Sequence, residues 1–195
     1  MAQRRYQWEK PRDLLHIDIK EMGRFAQAGQ RAHGDRRRAT RGAGWEFGHV
    51  CIDDASRVAF ADILANERQE SVVAFLSSAL GFYKSLGITV RRVMADNGSG
   101  YVSKSFFKAC AERGLKHFRT RPYTLRTNGK AERFLQTALR EWAYAANYGS
   151  SNERASELPR WLHEYNFYKN HSALQNKPPI SRIEVGVNKV LQLHS

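Results

Sequence analysis

Apolar residues fall into short runs of alternating or helical spacing, separated by turn formers. Leu14-Leu15-His16-Ile17-Asp18-Ile19 alternates, which predicts a strand with Leu15, Ile17 and Ile19 on one face and His16, Asp18 and Lys20 on the other. Residues 21 to 44 are rich in Gly and Arg without useful periodicity and predict a loop. Trp45 to Ile52 and Val58 to Leu64 predict two further strands, joined by Asp53-Asp54-Ala55-Ser56-Arg57, which has the composition of a hairpin turn. Val72, Val73, Phe75, Leu76, Leu80 and Tyr83 recur at helical spacing over Glu70 to Leu86, with Gly87 as the stop.

A strand from Val90 to Ala95 then ends at Asp96. Ser103 or Ser105 can cap a helix that runs to Arg113, with Gly114 beyond it, and Lys116-His117-Phe118 is a short strand. From Thr127 the stripe Phe134, Leu135, Ala138, Leu139, Trp142 and Ala146 predicts a helix of some twenty residues. A last helix spans about Ser151 to Tyr168, before a Pro-rich tail around Pro178-Pro179. The order β-β-β-α-β-α-β-α-α predicts an α/β domain whose mixed five-stranded sheet carries helices on both faces. The crossover helix allows the strand ending at Asp96 to lie parallel beside the first. Asp18 and Asp96 would then stand where the strand order reverses, the place where open α/β sheets bind ligands.

The chain of 195 residues suits one domain with a sizeable core, and 42% hydrophobic content excludes wholesale disorder. No apolar run is long enough to span a bilayer. The start Met-Ala-Gln-Arg-Arg-Tyr has no secretory core, so a cytoplasmic setting is expected, with Cys51 and Cys110 as free, buried thiols. Lys and Arg number 32 against 19 Asp and Glu, a net charge of +13. Such an excess favours a polyanion through counterion release. A merely basic soluble protein is the alternative.

Candidate chemistry centres on three acids. Asp18 lies within an otherwise apolar strand, where a lone carboxylate costs stability unless it meets a partner or a metal. Asp96 precedes Asn97-Gly98 and also suits a strand-ending turn, and Glu132 also suits the N-terminal pole of a helix. Asp53 and Asp54 compete as candidates, but their place before Ser56-Arg57 favours a turn role. If Asp18, Asp96 and Glu132 converge, their hard oxygens suit Mg²⁺ or Mn²⁺, and two such ions support in-line phosphoryl transfer.

The strings His16-Ile17-Asp18-Ile19, Asp53-Asp54-Ala55-Ser56-Arg57, Ala95-Asp96-Asn97-Gly98, Arg121-Pro122-Tyr123-Thr124, Thr127 to Phe134 and His171-Ser172-Ala173-Leu174 occur in this order. Together they resemble the integrase catalytic core of bacterial insertion-sequence DDE transposases, related to retroviral integrases. The resemblance covers about Leu14 to Ile183 and implies a ribonuclease H-like fold. It leaves residues 1–13 as an N-terminal extension and 184–195 as a C-terminal tail. Thirty-five residues between Asp96 and Glu132 match the family spacing, and the likeness makes Asp18, Asp96 and Glu132 the metal-binding triad. Leu125 departs from the usual proline, and Lys169-Asn170 from Arg-Pro; neither removes a ligand.

The resemblance implies hydrolysis of a phosphodiester at a transposon end and strand transfer into target DNA, by a homo-oligomer with two metal ions and no membrane, in a bacterial, nucleoid-associated setting. End recognition would belong to a separate helix-turn-helix chain or a missing N-terminal domain. Candidate DNA contacts are Asn128, Lys130, Arg133, Arg140, Arg121 and Arg126, with Arg36, Arg37, Arg38, Arg41 and Arg119 as further cations. Lys130 and Arg140 are the preferred phosphate contacts. A ribonuclease H or junction nuclease is disfavoured by the thirty-five-residue interval. A catalytically silent truncated transposase, binding DNA or regulating the full-length enzyme, is the reading from another class. The aromatic residues Trp142, Tyr144, Tyr148, Trp161, Tyr165, Phe167 and Tyr168 are expected to pack the final helices together.

Overall fold

The computed structural model describes residues 13–25, 44–120 and 129–183. Five strands form one mixed sheet in the order β3-β2-β1-β4-β5. They are β1 (Leu14–Arg24), β2 (Gly44–Asp53), β3 (Ala59–Leu64), β4 (Arg92–Ala95) and β5 (Lys116–Arg119). The first three pair antiparallel, and β4 lies parallel to both β1 and β5. Helix α1 (Gln69–Ser85) makes the crossover from β3 to β4, and α2 (Lys104–Glu112) the one from β4 to β5. Both stop as expected, with Gly87 and Gly114 at positive φ. Ser103, rather than Ser105, caps α2 by accepting from Phe106 N at 3.2 Å.

Alternation along the strands divides the core between two faces. Leu15, Ile17, Cys51, Val93 and Ala95 meet α1 and α2 through Val72, Phe75, Leu76, Tyr83 and Phe106. On the opposite face Met22, Val50, Ile52, Ala59 and Ala61 meet the later helices through Ala131, Phe134, Leu135, Trp142, Leu162 and Tyr165. Those helices are α3 (Gly129–Ala138), α4 (Ser151–Ser156) and α5 (Leu158–Phe167). Cys51 and Cys110 are free and buried, and burial pushes their thiols up to about 12 and about 11. Among the described residues no helix is long and apolar enough to cross a membrane.

Three expectations need correction. The first strand runs on to Arg24, so the loop predicted from residue 21 starts later; pairing with β2, from Leu15↔Asp53 to Arg24↔Gly44, carries it past its apolar stretch. The long helix has ten α-helical residues and then a π-helical turn over Leu139–Ala143, where Tyr144 N donates to Leu139 O. That wider turn buries Ala143, while Ala146 lies beyond the helix and is exposed. The last predicted helix is two, α4 and α5, broken at Glu157. Pro159 lacks the N–H needed to continue the ladder and starts α5 instead.

Candidate active site

Parallel pairing of β1 with β4 sets Leu14 opposite Arg92, Leu15 opposite Val93 and His16 opposite Met94. The same register continued by two residues brings Asp18 level with Asp96, just past the end of β4. Because Leu15, Ile17, Val93 and Ala95 belong to the face under α1 and α2, alternation turns both acids to the face beneath α3. Each carboxylate is held locally: Asp18 Oδ1 accepts from Ile19 N at 2.8 Å, and Asp96 Oδ1 accepts from Gly98 N at 2.9 Å. Asn97 Nδ2 donates to Thr120 O at 3.1 Å, tying the Asp96 turn to the end of β5. Glu132 lies in the first turn of α3 and is exposed.

Asp18 registers the nearness of the other two. Its pKa is pushed up to about 6, first by burial and then by the charges of Asp96 and Glu132, against the Ile19 N–H and Lys20. Tyr101, buried below, is pushed upward by burial and then by Asp18 and Asp96. Its hydroxyl has no hydrogen-bond partner among the described residues. Even so, no three His, Cys, Asp or Glu side chains among the described residues stand close enough to hold a metal ion together. The acids share a field without forming a finished coordination shell.

An integrase core domain family model matches residues 9–124, and a second integrase core domain model matches residues 113–179. The chain belongs to the integrase core domain family. This integrase core is 36% identical, over 88 residues, to the retrovirus-related Pol polyprotein from transposon TNT 1-94 of Nicotiana tabacum, covering 45% of the chain and 7% of the polyprotein. Among solved structures it is similar to the simian T-cell lymphotropic virus intasome in complex with PP2A regulatory subunit B56 gamma. That match has a TM-score of 0.66 at 20% identity, covering 89% of this chain and 55% of the other. It also resembles the HTLV-2 integrase catalytic core domain in complex with magnesium (trimeric form), at TM-score 0.61 and 15% identity, covering 89% and 97%. Curated relatives such as the tobacco polyprotein are thus far longer than the chain. The likeness in fold is to retroviral integrase catalytic cores, which are ribonuclease H-like.

The donor chemistry of the integrase core fits a hard divalent cation. Asp18, Asp96 and Glu132 offer only carboxylate oxygens, and burial, then the charges of Asp96 and Glu132, already disfavour the charged form of Asp18. A cation among them would reverse that penalty.

The candidate DNA contacts divide. Arg121, Arg126 and Asn128, like Arg36, Arg37, Arg38 and Arg41, lie outside the described residues. Arg133 is exposed on α3, and Arg140 is exposed with its Nη2 2.9 Å from Glu141 Oε1. Lys130 is instead engaged within the protein: its Nζ pairs with the Asp54 carboxylate and donates to Asp54 O at 2.9 Å. Of the two turn acids, Asp53 plays the expected part, its Oδ2 accepting from Ser56 N and Oγ, both at 2.7 Å. Asp54 does not, since it also accepts from His16 Nε2 at 2.7 Å. The sequence carries one signal of this: two adjacent carboxylates where Ser56 requires one. The aromatic group splits as well. Trp161 and Tyr165 pack with Phe134, and Trp142 packs with Trp161, whereas Tyr144 and Tyr168 are exposed.

Proposed function

We propose that this integrase core is the catalytic domain of a divalent-metal-dependent DNA transposase or integrase. It would hydrolyse a phosphodiester and join the freed 3′-hydroxyl to target DNA. The observation that carries the reading is the placement of Asp18 beside the end of β4, level with Asp96 and within the field of Glu132. Asp18, Asp96 and Glu132 would hold magnesium or manganese. Bound there, the metal supplies charge neutralisation, activates a water or 3′-hydroxyl, and stabilises the leaving oxygen. Strand β1 and the turn after β4 would present two of the acids, and α3 the third. Arg133 and Arg140 would take backbone phosphates beside Glu132, with Arg121, Arg126 and Asn128 leading into the same helix. The magnesium complex and the intasome among the similar structures support the metal and a DNA-bound oligomer.

A second reading is a catalytically silent chain that binds DNA or regulates a longer transposase. One assay separates them. The purified chain is incubated with Mg²⁺ or Mn²⁺, a pre-cleaved end of the element flanking its gene, and a plasmid target. Joined product is expected from the native chain. Glu132→Gln is expected to keep the circular dichroism spectrum and DNA affinity while losing joining. Joining by Glu132→Gln would refute the role of that acid, and absence of joining by the native chain would leave the silent reading.

A further inference from the structure

The β2–β3 turn reaches across to two of the elements that carry the acids, β1 and α3. Asp54 is 3% exposed. Its backbone N donates to Leu14 O at 2.9 Å, and its carboxylate accepts from His16 Nε2 at 2.7 Å, two residues before Asp18. Lys130, two residues before Glu132, closes on the same carboxylate oxygen and on the Asp54 carbonyl. Arg57 Nη1 also donates to that carbonyl. Burial alone would raise the Asp54 pKa, but hydrogen bonds from His16 and Lys130 hold it down at about 2. Asp54 therefore stands as a charged hub between β1 and α3.

Helix geometry gives the hub a consequence. Successive residues turn by about 100°, so Lys130 and Glu132 flank Ala131 on opposite sides, and Ala131 is fully buried at 0% exposure. In the sheet order the β2–β3 hairpin lies to one side of β1 and β4 lies to the other. Drawing Lys130 toward the hairpin swings Glu132 toward β1 and β4, where Asp18 and Asp96 stand.

We infer that Asp54 is a positioning residue: by gripping Lys130 and His16 together it sets the rotation of α3 that aims Glu132 at the acids of the sheet. The inference rests on the catalytic reading above. Asp54 is buried behind Lys130 and His16, and acts through the elements it holds.

The test is a double-mutant cycle of Asp54→Asn and Lys130→Gln with two readouts. The first is joining at saturating DNA and Mn²⁺. Asp54→Asn is expected to lower kcat about tenfold or more while the Kd for DNA changes less than about twofold, a split that general destabilisation would not give. The double variant is expected to be no slower than the slower single one, because both remove one contact. The second readout is hydrogen exchange of the Ala131 to Phe134 amides in the metal-free protein, faster in both single variants while exchange in α1 stays unchanged. If Asp54→Asn does not fold, Lys130→Gln reads the same contact from its more exposed side. Additive losses of kcat, or native exchange rates in the first turn of α3, would overturn the inference. A native chain that joins nothing refutes the catalytic reading alone, since exchange still decides whether Asp54 holds the helix.

Discussion

Replacing Asp18 by Asn is expected to stabilise the metal-free protein while destroying its proposed activity. The native carboxyl has its pKa pushed from 3.8 to about 6, so its charged form is worse off in the folded state than in the unfolded chain. Two pKa units correspond to about 3 kcal/mol at most, and because Asp18 is only partly buried solvent relaxation reduces this toward about 1 kcal/mol. The sign follows from proton linkage. Above about pH 6 both states carry the charge and the full penalty applies. As the pH falls from there through 3.8, the folded state takes up the proton first and the penalty fades. Asn keeps an oxygen for the Ile19 N–H, which donates to Asp18 Oδ1 at 2.8 Å, so the substitution removes charge without removing that bond. Urea unfolding followed by tryptophan fluorescence, in chelator from about pH 4 to pH 8, measures the difference. The Asn variant should be the more stable near pH 8, with the gap closing toward pH 4. Mg²⁺ should stabilise the native protein and not the variant. A variant less stable than the native chain near pH 8, or a gap that ignores pH, would refute the account of a crowded acid.

Two further substitutions test the scaffold. A Cβ at Gly100 would meet Glu67 O at 2.5 Å and Val72 Cγ1 at 2.9 Å, so Gly100→Ala should cost about 1–3 kcal/mol in thermal or urea unfolding; an unchanged midpoint would show that the Asp96 turn is free to move away from α1. Arg154→Met leaves Glu46, only 8% exposed, without the guanidinium now 2.6 Å away, and should cost about 3–5 kcal/mol, whereas Glu46→Gln/Arg154→Met should recover part of the loss.

The element order, the crossover and the placement of Asp18 and Asp96 on neighbouring strands were legible because each depends on local signals. Alternation divided the first strand into two faces, Gly87 and Gly114 ended helices, and a right-handed crossover leaves few other positions for β4. The likeness to integrase cores was equally readable, being carried by strings of ordered residues. Illegible features depend on contacts far apart in sequence. Nothing local distinguishes Asp54 from Asp53; the difference is made by Lys130, 76 positions away. The π-turn over Leu139–Ala143 reflects packing of Trp142 against the final helices, which the periodicity of one helix does not encode. Nothing in the sequence marked Arg154, yet its exposure is 1% because Glu46 and Gly23 O meet it from the sheet.

These distant polar contacts share a purpose in the architecture. Among the described residues, the helical layer bearing Glu132 is joined to the sheet by polar side chains at three separated places. Asn166 on α5 pairs with both the N–H and the carbonyl of Ala59 at 2.8 Å, sealing the edge strand β3. Arg154 on α4 reaches Gly23 O and Glu46 at the far end of β1 and β2, and Lys130 on α3 reaches Asp54 at their near end. Apolar packing alone holds a helix against a sheet but restrains its sliding and rotation weakly, since many side-chain arrangements bury similar area. Directional bonds do not tolerate such freedom, and a buried group that loses its partner costs about 1–3 kcal/mol. Helices α1 and α2 on the opposite face, which carry none of the three acids, meet the sheet through apolar contacts and through the buried Tyr83 hydroxyl, which donates to Val58 O at 2.8 Å. On the acid-bearing face these anchors would fix the carboxylate of Glu132 against those of Asp18 and Asp96, as the proposed site requires.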